Sequence, residues 1–388
     1  MPYLIYILSF SLIVCCIELD ISVPSFPDMV KHFGVCEGTI GLTVAYNFLG
    51  FCISGFLYGP LSESYGRRNV MIFGNGLLML GAISCFLAPN IEILLISRLI
   101  QGVGASTSAV VVFAIMADIY KGNEYVKSVA FMNSLLTIAM AGAPIAGAFI
   151  NEMIGWRGNY GVVACFASLS WLALYLILPE TKKQFDNFDI TKIMANYKLL
   201  FTNGEFMAAC LVPSVLCATY LSFVVCGSFF YVSTLGLSVV EYGFHQGAIL
   251  ISFAVMSLYA GKFAEKYGRV WSVKFTSLVY FIGLLGLLIV SLFYADQPYL
   301  VTAMMIIIGL CEAVIYPVIF AYSMEIFPKI SGTASSAIMG MRALLCAFFT
   351  GYATHIFGGV LFNIVKLQFM LGILSLILTL YVLKTMKD

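Results

Sequence analysis

Twelve apolar segments separated by short polar breaks dominate this chain of 388 residues. Each segment is about 20 residues long, and at a rise of about 1.5 Å per residue an α-helix of that length crosses a hydrocarbon core of about 30 Å. Backbone groups in lipid must be hydrogen-bonded within the segment, and these segments are too long for barrel strands. The sequence therefore predicts twelve membrane-spanning helices at 3–24, 39–60, 70–88, 91–117, 126–150, 159–178, 207–233, 243–262, 271–293, 299–323, 332–355 and 359–383.

Composition supports this fold class and excludes others. The chain is 61% hydrophobic and 10% charged, whereas a soluble domain has about 25% charged residues, so a lipid bilayer is the expected surrounding. A net charge of +1 gives no basic field for nucleic acid. The 11 cysteines lie mostly in apolar runs without metal-ligand spacing, so no metal or other cofactor is expected. The N-terminus lacks a charged region and a cleavage site, which predicts a first span instead of a signal peptide.

Lysines and arginines indicate the orientation. The breaks on one side hold fifteen of them, whereas the opposite breaks hold Lys31 and Arg157. The positive-inside rule then predicts a multi-pass protein of the inner membrane with both termini cytoplasmic. The longest charged break, 179–206, predicts a cytoplasmic linker with an amphipathic helix around 189–201. It would separate an N-terminal bundle of six helices at 1–178 from a C-terminal bundle at 207–388.

A repeat relates these two halves. GPLSESYGRR at 59–68 recurs as GKFAEKYGRV at 261–270, and Asp118 is echoed 207 residues later by Glu325. Both features keep their order and their side, which predicts parallel repeats. That symmetry is typical of transporters whose substrate site lies at midplane between the halves.

The repeated loops predict a cytoplasmic gate. Their glycines would allow tight turns after the second and eighth helices, and their arginines would pair with acids at neighbouring helix ends or with anionic lipid. The alternative is a basic loop that only follows the positive-inside rule and whose acids have no role in gating. The predicted gate residues are Gly59, Glu63, Gly66, Arg67, Arg68, Asp118, Gly261, Glu265, Gly268, Arg269 and Glu325.

These motifs resemble the major facilitator superfamily. GPLSESYGRR resembles its signature loop, RLIQGVGAS at 98–106 its helix-four motif, and GAPIAGAF at 142–149 its helix-five antiporter motif, where Pro144 and Gly147 remain but two glycines are replaced by alanine. DISVPSFPDM at 20–29 and GWR at 155–157 are similar to the Bcr/CflA branch of drug:proton antiporters. The resemblance implies two pseudo-symmetric six-helix bundles, alternating access and proton coupling. Ser64 departs from the basic residue usual there, so Arg67 or Arg68 would have to pair with Asp118.

Ionisable groups inside spans are costly and therefore mark functional candidates. Glu18 and Asp20 lie near the outer end of the first span, and Arg98 lies at a similar depth in the fourth. We expect Asp20 and Glu18 to carry the coupling proton and Arg98 to respond to it; a static structural pair is the alternative. The resemblance gives Asp20 and Arg98 these roles, whereas Glu18 follows from the residues alone.

The second half has its own buried charges. Glu312 and Arg342 both fall near midplane, where they would pair with each other or contact substrate. The predicted substrate cavity comprises Tyr46, Asn47, Gln101, Asn133, Tyr220, Tyr231, Glu312, Tyr316 and Arg342.

Two functions remain open at this point. The first is a proton-coupled exporter of drug-like amphiphiles, energised by the proton gradient. The second is a dedicated carrier, for import or export, of one metabolite such as a siderophore, amino acid or organic acid. A membrane enzyme is disfavoured because no HExxH or GxSxG motif occurs. One chain contains both halves of the pathway, so a monomer is expected.

Overall fold

The computed structural model describes residues 3–120, 122–182, 185 and 188–386. Fourteen α-helices and no strands occur in these ranges. The helices are α1 (Tyr3–Asp20), α2 (Phe26–Phe33), α3 (Glu37–Ser64), α4 (Arg67–Leu87), α5 (Ile91–Ile119), α6 (Gly122–Ile154), α7 (Trp156–Ile177), α8 (Ile190–Thr202), α9 (Gly204–Ser228), α10 (Val239–Tyr267), α11 (Arg269–Phe293), α12 (Pro298–Ile326), α13 (Ser331–Phe357) and α14 (Leu361–Thr385).

Twelve stretches of the described chain are long and apolar enough to cross a membrane, which confirms the predicted all-α polytopic fold. Ten of them are single helices. The first runs through α1 and α2, and the seventh joins α9 to a π-helical turn at Phe229–Thr234. We call the face that carries both chain ends the terminal side and the opposite face the distal side.

The first span is interrupted directly after Asp20. A 3-10 turn at Val23–Ser25 follows α1, and Pro27 lies in the first turn of α2. Proline at these positions removes a backbone donor that a continuing helix would need. The break places the end of α1 and its carboxyl group among other helices instead of at the surface.

The signature loops are shorter than the sequence indicated. Gly59 lies within α3 and Gly261 within α10, so neither makes the predicted turn. The turns are made by Gly66, with φ of 92°, and Gly268, with φ of 86°. Only glycine adopts such angles without strain. Because helical hydrogen bonding tolerates glycine, a sequence pattern does not reveal on which side of it a helix ends.

Two helices of the N-terminal half meet at backbone contact. A Cβ atom on Gly102 of α5 would lie 1.9 Å from the carbonyl oxygen of Asn47 on α3. One on Gly50 of α3 would lie 2.1 Å from the carbonyl oxygen of Leu99. Small residues permit such close packing in membranes, and here the crossing lies beside the buried Arg98.

Contacts between the halves run along α3 and α13 and between α6 and α10. On the terminal side, a Cβ atom on Gly59 would lie 2.6 Å from the hydroxyl of Ser336 on α13. On the distal side, the rings of Phe149 on α6 and Phe244 on α10 lie 6.2 Å apart, edge to face.

Helix α8 confirms the amphipathic helix predicted in the linker, where residues 183, 184, 186 and 187 lie outside the described residues. Asp189 caps it through its carboxylate. Tyr197 is buried and donates a hydrogen bond to the carbonyl oxygen of Phe56 on α3, at 2.8 Å. Burial raises the pKa of Tyr197 to about 12, so the hydroxyl keeps the proton that it donates. The linker helix is therefore docked against the boundary between the halves.

Candidate proton and substrate site

A fully buried ion pair lies in the N-terminal half. Arg98 on α5 has no exposed surface, and its Nη1 donates to a carboxylate oxygen of Glu18 on α1. The same nitrogen donates to Oε1 of Gln101 at 2.8 Å. Asn47 on α3 donates to the second carboxylate oxygen of Glu18 at 2.8 Å. Three helices thus contribute to one network, which we call the Arg98 network.

This network compensates its own charges. Burying two ions is costly unless the geometry is good and further hydrogen bonds satisfy the remaining atoms. Asn47 and Gln101 supply two such bonds, whereas Nη2 of Arg98 and Nε2 of Gln101 have no partner among the described residues. Both residues were predicted to line the substrate cavity. The structure instead places them in the Arg98 network, where their amides hold the ion pair.

Asp20 does not join this network, although its sequence position left pairing with Arg98 open. Its side chain is 5% exposed, and no described residue hydrogen-bonds to its carboxyl group. The turn at Val23–Ser25 that follows it contacts α9 and α10 of the C-terminal half, so Asp20 lies at the boundary between the halves. The structure therefore gives the two acids of α1 different surroundings: Glu18 is paired, and Asp20 faces the other half.

Gly147 explains how Asp20 is positioned. A Cβ atom on this residue of α6 would lie 2.0 Å from the carbonyl oxygen of Ile21, the residue after Asp20. Only glycine lets α6 approach the break in the first span so closely. Pro144 lies one turn earlier, inside α6. The surviving residues of the helix-five motif thus include a direct support for the predicted proton site.

The predicted pair between Glu312 and Arg342 does not form. Nη1 of Arg342 on α13 donates to the hydroxyl of Tyr316 on α12 at 2.7 Å. Glu312 is 4% exposed, and its Oε1 has no hydrogen-bond partner among the described residues. The reason is the position of the two residues along α12, since Tyr316 follows Glu312 by one helical turn and lies level with the guanidinium group of Arg342.

The remaining residues predicted to line the cavity are divided. The hydroxyl of Tyr220 is half-buried and accepts a hydrogen bond from Nε2 of Gln246 at 2.8 Å, close to Glu312. Tyr231 lies elsewhere, in the core of the C-terminal half, where its hydroxyl is 2.7 Å from that of Thr302. Asn133 is exposed on α6 and Tyr46 is half-buried on α3, and neither joins these clusters.

At the first signature loop, Arg67 makes the contact that the missing basic residue at position 64 left open. Its Nε lies 3.2 Å from Oδ2 of Asp118, and its Nη1 donates to the hydroxyl of Ser62 at 2.6 Å. Arg68 points away and donates to the carbonyl oxygens of Leu178 and Tyr175 at the end of α7. Of the two arginines, Arg67 therefore pairs with Asp118, which also accepts a hydrogen bond from Thr181.

Glu180 completes this loop and was missed by the sequence reasoning. Its carboxylate accepts hydrogen bonds from the backbone N–H groups of Arg67 at 3.0 Å and Arg68 at 3.1 Å. These groups open α4, where unpaired donors and the helix dipole favour an anion. The acid directly follows Pro179 after the sixth span, but a partner 113 residues away leaves no local signal.

The second loop is more open. Nη1 of Arg269 donates to both carboxylate oxygens of Glu325, at 2.9 and 3.0 Å, which repeats the pairing of the first loop. Glu265 is exposed, and a Cβ atom on Gly261 would meet nothing within 4 Å. Glu63 lies toward Gly332 of α13 and does not pair with Arg67.

Twelve spanning stretches, a duplicated charged loop and buried charges at the boundary of two halves define a polytopic transport protein. The sequence model of the Major Facilitator Superfamily matches residues 8–351. The chain belongs to this superfamily and is a membrane transporter.

Its curated relatives include proteins named for drug resistance. The chloramphenicol resistance protein CraA of Acinetobacter baumannii is 24% identical over 336 residues, covering 85% of this chain and 79% of that protein. Multidrug resistance protein D of Escherichia coli is 24% identical over 327 residues, covering 83% and 81%. An uncharacterized transporter of Rickettsia felis is 25% identical over 363 residues, covering 90% and 89%. These names agree with the branch that the motifs resemble.

Solved structures show the same fold. A D-xylose–proton symporter superposes with a TM-score of 0.79 at 17% identity, covering 98% of this chain and 97% of that one. The nucleoside transporter NupG superposes with a TM-score of 0.74 at 14% identity, covering 99% of each.

Proposed function

We propose that the protein is a proton-coupled antiporter that exports small amphiphilic, drug-like compounds across the cytoplasmic membrane by alternating access. It acts as a monomer with both termini in the cytoplasm. The observation that carries the proposal is the contrast on α1. Glu18 is locked to Arg98, whereas Asp20 is buried at the boundary between the halves without a cationic partner.

Asp20 has the properties that a coupling group requires. A carboxyl group whose hydration changes between the two states of a transporter can bind a proton in one state and release it in the other. The turn that follows Asp20 contacts α9 and α10 of the opposite half, so separation of the halves would admit water to Asp20. The Arg98 network then acts as the fixed charge beside this site.

Export of drug-like compounds is supported by the relatives named for resistance and by the aromatic residues at the boundary. The second candidate, a dedicated carrier of a charged metabolite, is favoured by one observation. Glu312 and Arg342 remain unpaired with each other, so a charged ligand has groups to bind.

The test uses purified protein in proteoliposomes with an imposed pH gradient, with radiolabelled chloramphenicol and ethidium as probes. We expect gradient-driven flux in the parent. Asp20→Asn should abolish the dependence on the gradient, as should Asp20→Asn combined with Glu18→Gln. Asp28→Asn is the matched control, because Asp28 lies on α2, accepts a hydrogen bond from Asn151 and pairs with Lys31, both of which belong to its own half. Unchanged gradient-driven flux in the double variant would contradict the proposal.

The direction of transport and the substrate specificity are tested by a second set of assays in cells. Cells that express the protein are compared for drug susceptibility and for uptake of labelled amino acids, organic acids and siderophores. Resistance without uptake supports the exporter, whereas uptake of one metabolite without resistance supports the dedicated carrier.

A further inference from the structure

A groove of about 250 Å³ lies between α11 and α14 of the C-terminal half. Its lining is apolar except for Lys274, Ser277 and Thr379. Leu278 and Leu380, which also line it, are more than half exposed. Both helices are spanning stretches, so this exposed surface contacts lipid in the membrane.

The groove lies in the part of the membrane that is nearer the terminal side. Lys274 is the sixth residue of α11, which begins at Arg269 on that side, and Leu383 lies two residues before the end of α14. At about 1.5 Å per residue, Lys274 is about 7.5 Å from the start of its helix. At this depth the phosphate groups of a bilayer give way to the acyl chains.

Lys274 has no counter-ion at this depth. Its side chain is exposed on α11 and pairs with no acid in the part of the chain that the structure describes. A cation within a span is costly unless an anion compensates it or the side chain extends to the interface. The phosphate of a phospholipid is an anion that is present at this level of the membrane.

Ser277 contributes a second polar group to the groove. It follows Lys274 by three residues, which places the two side chains on one face of α11. Ser277 is 6% exposed, and its hydroxyl has no hydrogen-bond partner among the described residues. The neighbouring Thr276 instead donates to the carbonyl oxygen of Ser272 at 2.7 Å. A buried hydroxyl without a partner is costly, so an acceptor inside the groove would stabilise it.

The corresponding position of the N-terminal half is filled by protein. The repeat that relates Arg67 to Arg269 also relates Ile72 on α4 to Lys274. Nε1 of Trp171 on α7 donates to the carbonyl oxygen of Ile72 at 3.1 Å, so an indole ring lies between these two helices. Helix α14 contains no tryptophan. The second half therefore has a groove and a cation where the first half has an aromatic ring and an apolar residue.

We propose that the groove between α11 and α14 binds an anionic phospholipid from the leaflet on the terminal side. The lipid phosphate contacts the ammonium group of Lys274, and an ester carbonyl oxygen accepts a hydrogen bond from Ser277. One acyl chain lies deeper, against Phe281 and Leu376. A chain in this position fills the groove and packs α11 against α14.

The test is lipid binding to the purified, delipidated chain in detergent, measured by native mass spectrometry. The probes are dioleoyl phosphatidylglycerol and dioleoyl phosphatidylcholine, which differ only in the head group. We expect phosphatidylglycerol to bind about fivefold more tightly, which is the contribution of one lysine near a membrane surface. Glycerol 1-phosphate carries the charge without the acyl chains and should not displace the lipid.

Substitutions should locate the two polar contacts. Lys274→Gln should remove the preference for phosphatidylglycerol, and Lys274→Arg should keep it. Lys262→Gln is the matched control, because Lys262 is an exposed lysine of α10 near the same side that does not line the groove. Ser277→Ala should weaken both lipids alike, by about two- to tenfold, because both carry the ester. Thermal unfolding without lipid checks that each variant is folded.

The inference is overturned if the parent binds both lipids equally, if Lys274→Gln keeps the preference, or if Lys262→Gln loses it to the same extent. Unchanged binding in Ser277→Ala would contradict the placement of the lipid in the groove. Displacement by glycerol 1-phosphate would make the groove a site for a small anion instead of a lipid. The proposed antiport fails separately, because absent gradient-driven flux in proteoliposomes would leave these binding results unchanged.

Discussion

The two halves share a fold and a loop motif, but they treat buried charge in opposite ways. In the N-terminal half, Arg98 is enclosed with Glu18 and with two amides that hydrogen-bond to the pair, while Nη2 of Arg98 and Nε2 of Gln101 have no partner among the described residues. In the C-terminal half, Glu312 has no hydrogen-bond or ionic partner among the described residues, and Arg342 donates to the neutral hydroxyl of Tyr316. The difference indicates that one half pairs its buried charges with each other, while the other leaves them without an ionic partner among the described residues.

The signature loops differ in the same direction. The side chain of Arg67 is 9% exposed and joins Asp118, Ser62 and the loop that carries Glu180. The side chain of Arg269 is 40% exposed and, among the described residues, pairs with Glu325 alone. The duplication therefore preserved the position of the charges while the number of their contacts diverged.

The largest expected effect comes from breaking the paired charge of the first half. Glu18→Gln leaves Arg98 buried without a counter-ion, which should lower the free energy of unfolding by about 3–5 kcal/mol. Glu312→Gln removes an acid that has no partner among the described residues, so no comparable loss is expected. Thermal unfolding of both variants in the same detergent measures the two losses of stability. Equal losses would show that the halves do not differ.

The next effect compares the two loop arginines. Arg67→Ala removes a largely buried cation from Asp118 and should cost about 1–3 kcal/mol. Arg269→Ala breaks an exposed pair and should cost at most about 1 kcal/mol. Transport by Arg67→Ala should also slow, with substrate affinity nearly unchanged, in flux and binding assays. A large loss of affinity in Arg67→Ala would argue against a gating role.

A smaller effect is expected from Glu180, which acts in the first half only. Glu180→Ala removes the anion that accepts from the first N–H groups of α4, a loss comparable to that of a helix cap, about 0.5–2 kcal/mol. Hydrogen exchange at the start of α4 should rise while the start of α11 stays unchanged. Faster hydrogen exchange at the starts of both α4 and α11 would contradict a role of Glu180 that is confined to the first half.

The smallest effect tests the paired glycines. Gly59→Ala places a methyl group 2.6 Å from the hydroxyl of Ser336 and should push α3 from α13, costing up to about 1 kcal/mol. Gly261→Ala meets open space and should stabilise α10 by a few tenths to about 1 kcal/mol. We expect the two substitutions to shift the melting temperature in opposite directions, down for Gly59→Ala and up for Gly261→Ala. Shifts of the same sign would contradict the asymmetry.

The spans and the repeat were predictable because they depend on length, hydropathy and spacing alone. The depth of Glu18 and Arg98 was predictable for the same reason, since residue counts convert directly into distance along a helix.

The partners were not predictable. Asp20 and Glu18 are two residues apart, and only the break after Asp20 decides that one faces Arg98 and the other faces the opposite half. Arg342 binds Tyr316 instead of Glu312, and these two residues lie one helical turn apart on α12. Such choices depend on rotation and register, which hydropathy does not encode.

The backbone contact between Gly102 and Asn47 has a mechanical consequence. Helices whose main chains touch cannot slide past each other without a collision, so α3 and α5 must travel as one rigid body that carries Asn47 and Arg98 together. Any change in the distance from Arg98 to Glu18 during the transport cycle then has to come from displacement of α1. That helix ends in a break braced by Gly147 and bears Asp20 at its tip. In the proposed mechanism, α1 and the part of α6 that contacts Ile21 would move together relative to this rigid body, and protonation of Asp20 would act at the tip of α1.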